Sequence, residues 1–268
     1  MSTNKRVLRT LALLASLAPM YSIAQDVPVQ TQVRNDANVP NRLATQQHAL
    51  QSFVAQYNVV RNGMNLGRAT LQVQPTQGNR WRADLLMWAT GFLSIAGIHA
   101  DTSTVFDVVG SGLRPISQAT TRRSGMFGSK QSVGVFNWGA QVANWSGDVK
   151  DARKRPVTLQ DGDLTGLLIN LAVVRDAKPG KTLNYRFVDE GRTRNHTYQV
   201  ASTPENIKVG DMEYETYRVT RTDAQKSSDE TVLWVVPGGD TPIRMQQRED
   251  GKETFNLQLI EYRKGASA

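Results

Sequence analysis

The sequence predicts an all-β protein, mainly antiparallel, whose sheet of about a dozen strands curls into a barrel-like or spiral form around one helix. Three observations carry this. Apolar and polar residues alternate with a period of two in short runs from Phe53 to Tyr262. Turn-forming residues separate those runs at short intervals. One segment, near residues 163–175, changes to a helical period and is apolar over much of its girth.

The strands read in order. Phe53, Ala55, Tyr57 and Val59 alternate with Val54, Gln56 and Asn58, and Arg61-Asn62-Gly63 supplies a turn. Ala69, Leu71 and Val73 alternate with Arg68, Thr70, Gln72 and Gln74. After Gly78-Asn79, Trp81, Ala83, Leu85 and Met87 alternate with Arg80, Arg82 and Asp84. The same pattern recurs at 102–109, 116–122, 132–138, 141–145, 182–188, 193–200, 213–220, 231–236, 242–248 and 254–262. Glu190-Gly191, Val209-Gly210-Asp211 and Asp250-Gly251 are among the turns between them.

Leu164, Leu167, Leu168, Leu171 and Val174 carry the helical period, with Asp163 placed as an N-cap and Pro179-Gly180 closing the unit. Ile169 and Val173 lie off that stripe, so the helix is expected to be buried against the sheet, inside its curve or over its mouth. Gly91 to Gly97 reads as a second short helix or a loop.

The first residues read as an export address. Lys5, Arg6 and Arg9 precede the apolar run Leu11 to Ala18, and Ser22-Ile23-Ala24 has the small residues of a cleavage site. The run is too short to span a bilayer, which takes about 20 apolar residues. The expected organisation is a signal peptide over 1–24, a flexible leader over 25–50, one β-rich domain over 51–264 and a tail over 265–268. The expected location is the periplasm, with no transmembrane segment in the mature chain. Cleavage removes three cations and no acid, so the net charge falls from +8 to +5. That excess is mild and spread out, which argues against nucleic acid as a partner.

Several motifs in this order resemble one known family. They are Tyr57-Asn58-Val59 followed by Asn62-Gly63 and Leu66-Gly67-Arg68-Ala69, then Ala89-Thr90-Gly91-Phe92-Leu93-Ser94, Gly112-Leu113-Arg114-Pro115 and Val135-Phe136-Asn137-Trp138. Asp161 ahead of Leu164–Leu171, Leu233-Trp234-Val235 and Thr241-Pro242-Ile243-Arg244 complete the set. Together they resemble the exported bacterial family of domain of unknown function 3108, over roughly Ser52 to Tyr262. The resemblance implies a periplasmic, β-rich, spiral or barrel-like fold akin to lipoprotein-carrier folds. It implies no established activity and no catalytic residues.

The residues offer little reactive chemistry. With no cysteine, there is no disulfide, no thiolate nucleophile and no cysteine-ligated metal. The three histidines, His48, His99 and His196, are far apart in sequence. His99 precedes Asp101 and is read as a hydrogen-bonded structural histidine, with a general base built from that pair as the alternative, and His196 is read as an exposed strand residue. Asp161-Gly162-Asp163-Leu164-Thr165 matches an aspartyl phosphatase motif, but that chemistry needs a parallel βαβ core. The same stretch opens like a calcium loop, yet Ala172 stands where a bidentate Glu is required. The expectation is that Asp163 caps the helix and Asp161 ties the turn. Gly125-Met126-Phe127-Gly128-Ser129-Lys130 lacks phosphate-loop spacing. No catalytic residue, metal or cofactor is assigned.

Two apolar features point to binding. Leu85 to Ile98 abandons alternation, as a strand buried on both faces or the wall of an apolar cavity would. Met126-Phe127 sits where a polar hairpin tip is expected, flanked by Arg122-Arg123 and Lys130. Trp88, Phe92, Leu93, Ile95, Arg122, Arg123, Met126 and Phe127 are therefore the candidate ligand or membrane rim. Arg153-Lys154-Arg155 reads as solvated surface, with contact to phosphate-bearing lipid as the alternative. The functional expectation is a non-catalytic binding or carrier protein for an apolar or amphiphilic ligand such as a lipid. The alternatives are a module that binds another envelope protein and, third, a hydrolase assembled from distant residues.

Overall fold

In the computed structural model, residues 50–91, 94, 97–124, 128–223 and 230–265 are described. Before the helix come β1 (Phe53–Arg61), β2 (Met64–Pro75), β3 (Arg80–Ala89), β4 (Ile98–Val109), β5 (Gly112–Ser124), β6 (Ser129–Asn137) and β7 (Val142–Gly147), then the two-residue strands β8 (Val157–Thr158) and β9 (Asp163–Leu164). Helix α1 (Gly166–Asp176) follows. After it come β10 (Thr182–Asp189), β11 (Arg192–Val200), β12 (Glu205–Val209), β13 (Met212–Arg221), β14 (Glu230–Val235), β15 (Arg244–Glu249) and β16 (Lys252–Lys264). The sheet has 16 strands in the order 8-7-6-5-4-3-2-1-16-15-14-13-11-10-9, with β12 paired to β13 off this path. Every ladder is antiparallel except β9 with β10. The pairing of β1 with β16 joins the two halves of the chain in the middle of the sheet.

The hairpins follow from the predicted turns. Asn62-Gly63, Glu190-Gly191 and Asp250-Gly251 have positive φ at both central residues, the two-residue geometry that matches strand twist. The strands beyond the sequence expectation are β8, β9 and β12, and β8 and β9 are too short to show a period.

The sheet is curled but not closed. One inward row runs through Phe53, Val73, Ala83, Thr104, Gln118, Gly134 and Trp145 on successive strands β1 to β7. It begins apolar and turns polar at Thr104, and the polar part meets the returning chain. Thr104 hydrogen-bonds Thr165 at 3.2 Å, and Gln118 donates to Asp189 at 2.9 Å. Side-chain ties, not a ladder, thus draw β4 and β5 to the β9–β10 end of the sheet. Beyond that line β6 to β8 form a smaller core in which Phe136, Ala143 and Trp145 pack with Val188.

Helix α1 fills the curve. Leu167, Leu168, Ile169, Leu171, Ala172, Val173 and Val174 are all buried, so both its stripe and its flanks face protein. The helix begins later than its leucine pattern indicates. Thr165, not Asp163, is the N-cap, and its hydroxyl accepts from Leu168 N–H. Asp163 belongs to β9, and its carboxylate takes the Arg186 guanidinium at 2.6 Å. A fully buried acid requires such a cation, and that requirement decides its role.

His196 is the other departure. Its side chain shares the inward face of β11 with Tyr198 and Val200 and is buried. It stacks on Phe187 with ring centroids 4.8 Å apart. Burial, aided by the Arg221 charge, lowers its pKa to about 4.

Candidate ligand-binding site

The turn between β2 and β3, the turn between β4 and β5, and the β14–β15 loop lie at one end of the curled sheet, where the C-terminal half of α1 also emerges. Between them is a cavity of about 490 Å³. Its apolar wall comes from Leu50, Trp81, Val108, Leu113, Leu171 and Val174. Trp81, Val108 and Leu113 are inward positions of β3, β4 and β5 near the strand ends, Leu50 precedes β1, and Leu171 and Val174 are buried positions of α1. Arg175 and Asp240 are the charged groups of the lining.

Both charges are held. Arg175 donates to both oxygens of Asp176 at 2.7 Å and to the Ser111 carbonyl at 2.5 Å. Asp176 also accepts from the Tyr185 hydroxyl at 3.0 Å. Burial works against the Asp176 charge, but Arg175 and Tyr185 outweigh it and hold its pKa below the usual carboxylate range. Burial and the Asp176 charge push the Tyr185 phenol up, so it stays protonated as a donor. A cation in the last turn of α1 also suits the helix dipole. Asp240 accepts from the Tyr262 hydroxyl at 2.5 Å.

A second cavity of about 330 Å³ shares Leu113 and Arg175 with the first. Arg114, Trp138, Asp161, Asn184 and Tyr185 line its far side. The Arg114 guanidinium lies 4.9 Å over the Trp138 ring, whose Nε1–H donates to the Pro115 carbonyl at 2.7 Å. Asp161 sits 3.4 Å from Arg114 with its side chain 92% exposed. It is a loose surface pair rather than a tie within the turn.

The rim residues read from the sequence lie elsewhere or outside the described region. Phe92, Leu93, Ile95, Met126 and Phe127 fall outside it. Trp88, Arg122 and Arg123 lie at the opposite end of the sheet from the cavities, where β3 and β5 finish. Trp88 and Arg123 both pair with His99, which places the three in one cross-strand row on the outer face. His99 Nε2 is 2.7 Å from Asp101 Oδ2. Arg122 instead faces inward and reaches Glu190 at 3.3 Å. The structure therefore separates Arg122 from its neighbour in sequence. Trp81, an aromatic at the first inward position after a turn, is the sequence signal that marks the cavity end.

Among the described residues no group of three His, Asp or Glu side chains is placed to hold a metal ion, and no helix is long and apolar enough to cross a membrane.

The family model described as protein of unknown function (DUF3108) matches residues 53–258. No curated protein matches the chain. Among solved structures, the β-barrel-like protein of domain of unknown function DUF1849 from Brucella abortus aligns with a TM-score of 0.54 and 8% identity, over 81% of this chain and 99% of that one. A putative lipoprotein from Parabacteroides distasonis aligns at TM-score 0.29 and 8% identity, over 81% and 96% of the two chains. A putative outer membrane lipoprotein-sorting protein domain from Vibrio parahaemolyticus aligns at 0.20 and 8%, over 82% and 87%. The first of these likenesses carries the fold and nothing further.

Proposed function

The chain belongs to the family described as protein of unknown function (DUF3108), and from that premise we propose that it is a non-catalytic periplasmic protein that binds an apolar or amphiphilic molecule in a carrier role for the cell envelope. The supporting observation is the cavity of about 490 Å³ at the mouth of the curled sheet. Its volume lies in the range of small-molecule sites, roughly 300–1,000 Å³, and its wall is apolar with a few fixed polar groups. Helix α1 fills the interior, so the ligand sits at the mouth rather than through the length of the sheet. The export pattern of the first 24 residues supplies the compartment.

Native mass spectrometry of the protein taken from its own periplasm tests this. A bound mass that organic extraction removes is the expected result. Recovery of the bare chain alone, from gently handled cells, overturns it.

A second reading has its own observation. Val133 and Val135 are 39% and 53% exposed, on the same outer face of β6, next to β7 and two strands in from the short edge strand β8. An apolar strip near an unpaired sheet edge suits docking of another envelope protein. Loss of a co-purifying partner on Val135→Lys, with bound mass unchanged, would support it.

A further inference from the structure

We propose that the ligand is an anionic amphiphile, with its apolar part in the larger cavity and its carboxylate or phosphate head at Arg114 in the smaller one. This rests on the binding reading above and names the ligand class. The two cavities are neighbours, since Leu113 and Arg175 belong to the lining of both. Both linings mix apolar and polar residues: Trp81, Val108 and Leu171 stand with Asp240 in the larger, and Trp138 and Leu164 with Arg114 in the smaller. What sets the smaller apart is its second cation, Arg114. A molecule lying across the shared wall keeps apolar contact in both cavities and brings one end to Arg114.

The two arginines differ in what they can still do. Arg175 is neutralised by Asp176 and pinned to the Ser111 carbonyl, so it fixes the wall between the cavities. Arg114 is positioned but not satisfied. Stacking on Trp138 holds its plane, and the bond from Trp138 to Pro115 holds the ring. Its ion pair with Asp161 is at 3.4 Å, through one nitrogen, to a carboxylate that is almost fully in water. Such a pair contributes little, so an incoming anion displaces it at low cost. A planar guanidinium with free donors favours bidentate capture of a carboxylate or phosphate. Tyr185, committed as a donor to Asp176, brings no negative charge of its own.

The test uses the full mature chain loaded with the uncharged probe N-phenyl-1-naphthylamine, displaced at neutral pH by ligands that share a dodecyl chain. Dodecanoate and dodecyl phosphate are expected to displace the probe at concentrations about tenfold lower than dodecanol, with dodecyltrimethylammonium weakest. Arg114→Gln is expected to remove that preference while leaving dodecanol unchanged, and Arg114→Lys to keep part of it. The thermal midpoints of both variants are measured alongside, since Arg114 lies on a strand. Dodecyl phosphate ahead of dodecanoate points to a phospholipid head, and the reverse to a free fatty acid. Equal displacement by all four ligands, or an anion preference that survives Arg114→Gln, overturns the proposal. Failure of the probe and every ligand to bind overturns the binding reading itself.

Discussion

Arg186 places one guanidinium nitrogen 2.6 Å from each oxygen of Asp163, whose side chain is fully buried where β9 meets β10. Asp163 also accepts from the Gln160 backbone N–H. The pair fixes the chain two residues before Thr165 opens the helix. Removing the acid strands a half-buried cation and frees that backbone N–H. Asp163→Ala is therefore expected to cost about 3–5 kcal/mol, several times the roughly 1 kcal/mol of a lost helix cap. Urea denaturation measures it, and a loss near the smaller figure would sink the account of the pair.

That residue also shows where sequence reading stopped. Alternation exposed the long strands, because a half-buried strand prints its burial on every second residue. The helix was legible from its leucines. Asp163 ahead of Leu164 looked like a cap because caps and buried acids use the same residue, and Arg186 lies 23 positions away with nothing local to announce it. The exposure expected of His196 fails for a related reason. Only the fold shows that Phe187 covers it. The cavity was illegible because its wall is made of strand ends and a helix end, each ordinary in its own segment.

Acid should act on His196 and Asp189 in opposite directions. Folding lowers the His196 pKa from 6.5 to about 4. The stability from keeping it neutral is present above pH 6.5 and lost as pH falls toward 4. Burial, and next the Glu190 charge, raise the Asp189 pKa to about 6. Its ionisation opposes folding as pH rises through that value, so acid relieves it. Each effect is on the order of 2 kcal/mol after allowance for solvent contact. Asp189→Asn keeps an acceptor for Gln118 and should lose stability relative to wild type as pH falls from 6.5 to 4. His196→Gln should gain relative to wild type over the same window. Parallel curves for all three proteins would refute both assignments.

Two turn glycines with similar backbone angles separate strain from crowding. Gly63 and Gly191 have φ of 78° and 68°. A Cβ at Gly63 meets nothing within 4 Å, whereas at Gly191 it would lie 1.9 Å from the Arg153 carbonyl oxygen. Gly63→Ala is expected to cost about 1 kcal/mol from the left-handed conformation alone. Gly191→Ala should cost at least about 2 kcal/mol more, because backbone must move. Equal midpoints in thermal melts would show that the Arg153 turn yields freely.

Tyr57 ties β1 to the β14–β15 loop beside the cavity. Its hydroxyl donates to the Pro242 carbonyl at 3.0 Å and takes the Thr241 hydroxyl proton at 2.5 Å. Burial pushes its pKa well up, so it remains a phenol. Tyr57→Phe keeps the ring and strands two buried polar groups, at about 1–3 kcal/mol. Replacing Thr241 by Val as well removes one of those groups, so the double variant should lose less than the sum of the singles. Simple additivity would contradict the shared bond.

Arg122 and Arg123, adjacent in sequence and read together as rim, should behave differently. Arg123 is exposed beside His99 on the outer face, so Arg123→Ala is expected to change stability by less than about 0.5 kcal/mol. Arg122 points inward to Glu190, whose side chain is only 16% exposed. Arg153 and Arg192 also approach Glu190, at 3.5 and 3.7 Å, so removing Arg122 leaves that carboxylate weakened rather than bare. Arg122→Ala is then expected to cost about 1–2 kcal/mol, short of the 3–5 kcal/mol for an acid left without any partner. Glu190→Gln introduced with it should recover part of the loss, since the charge that needed Arg122 is gone. If Arg122→Ala is as silent as Arg123→Ala, the Arg122–Glu190 tie contributes nothing, and the curl of the sheet is held by the Thr104 and Gln118 hydrogen bonds and by packing on α1.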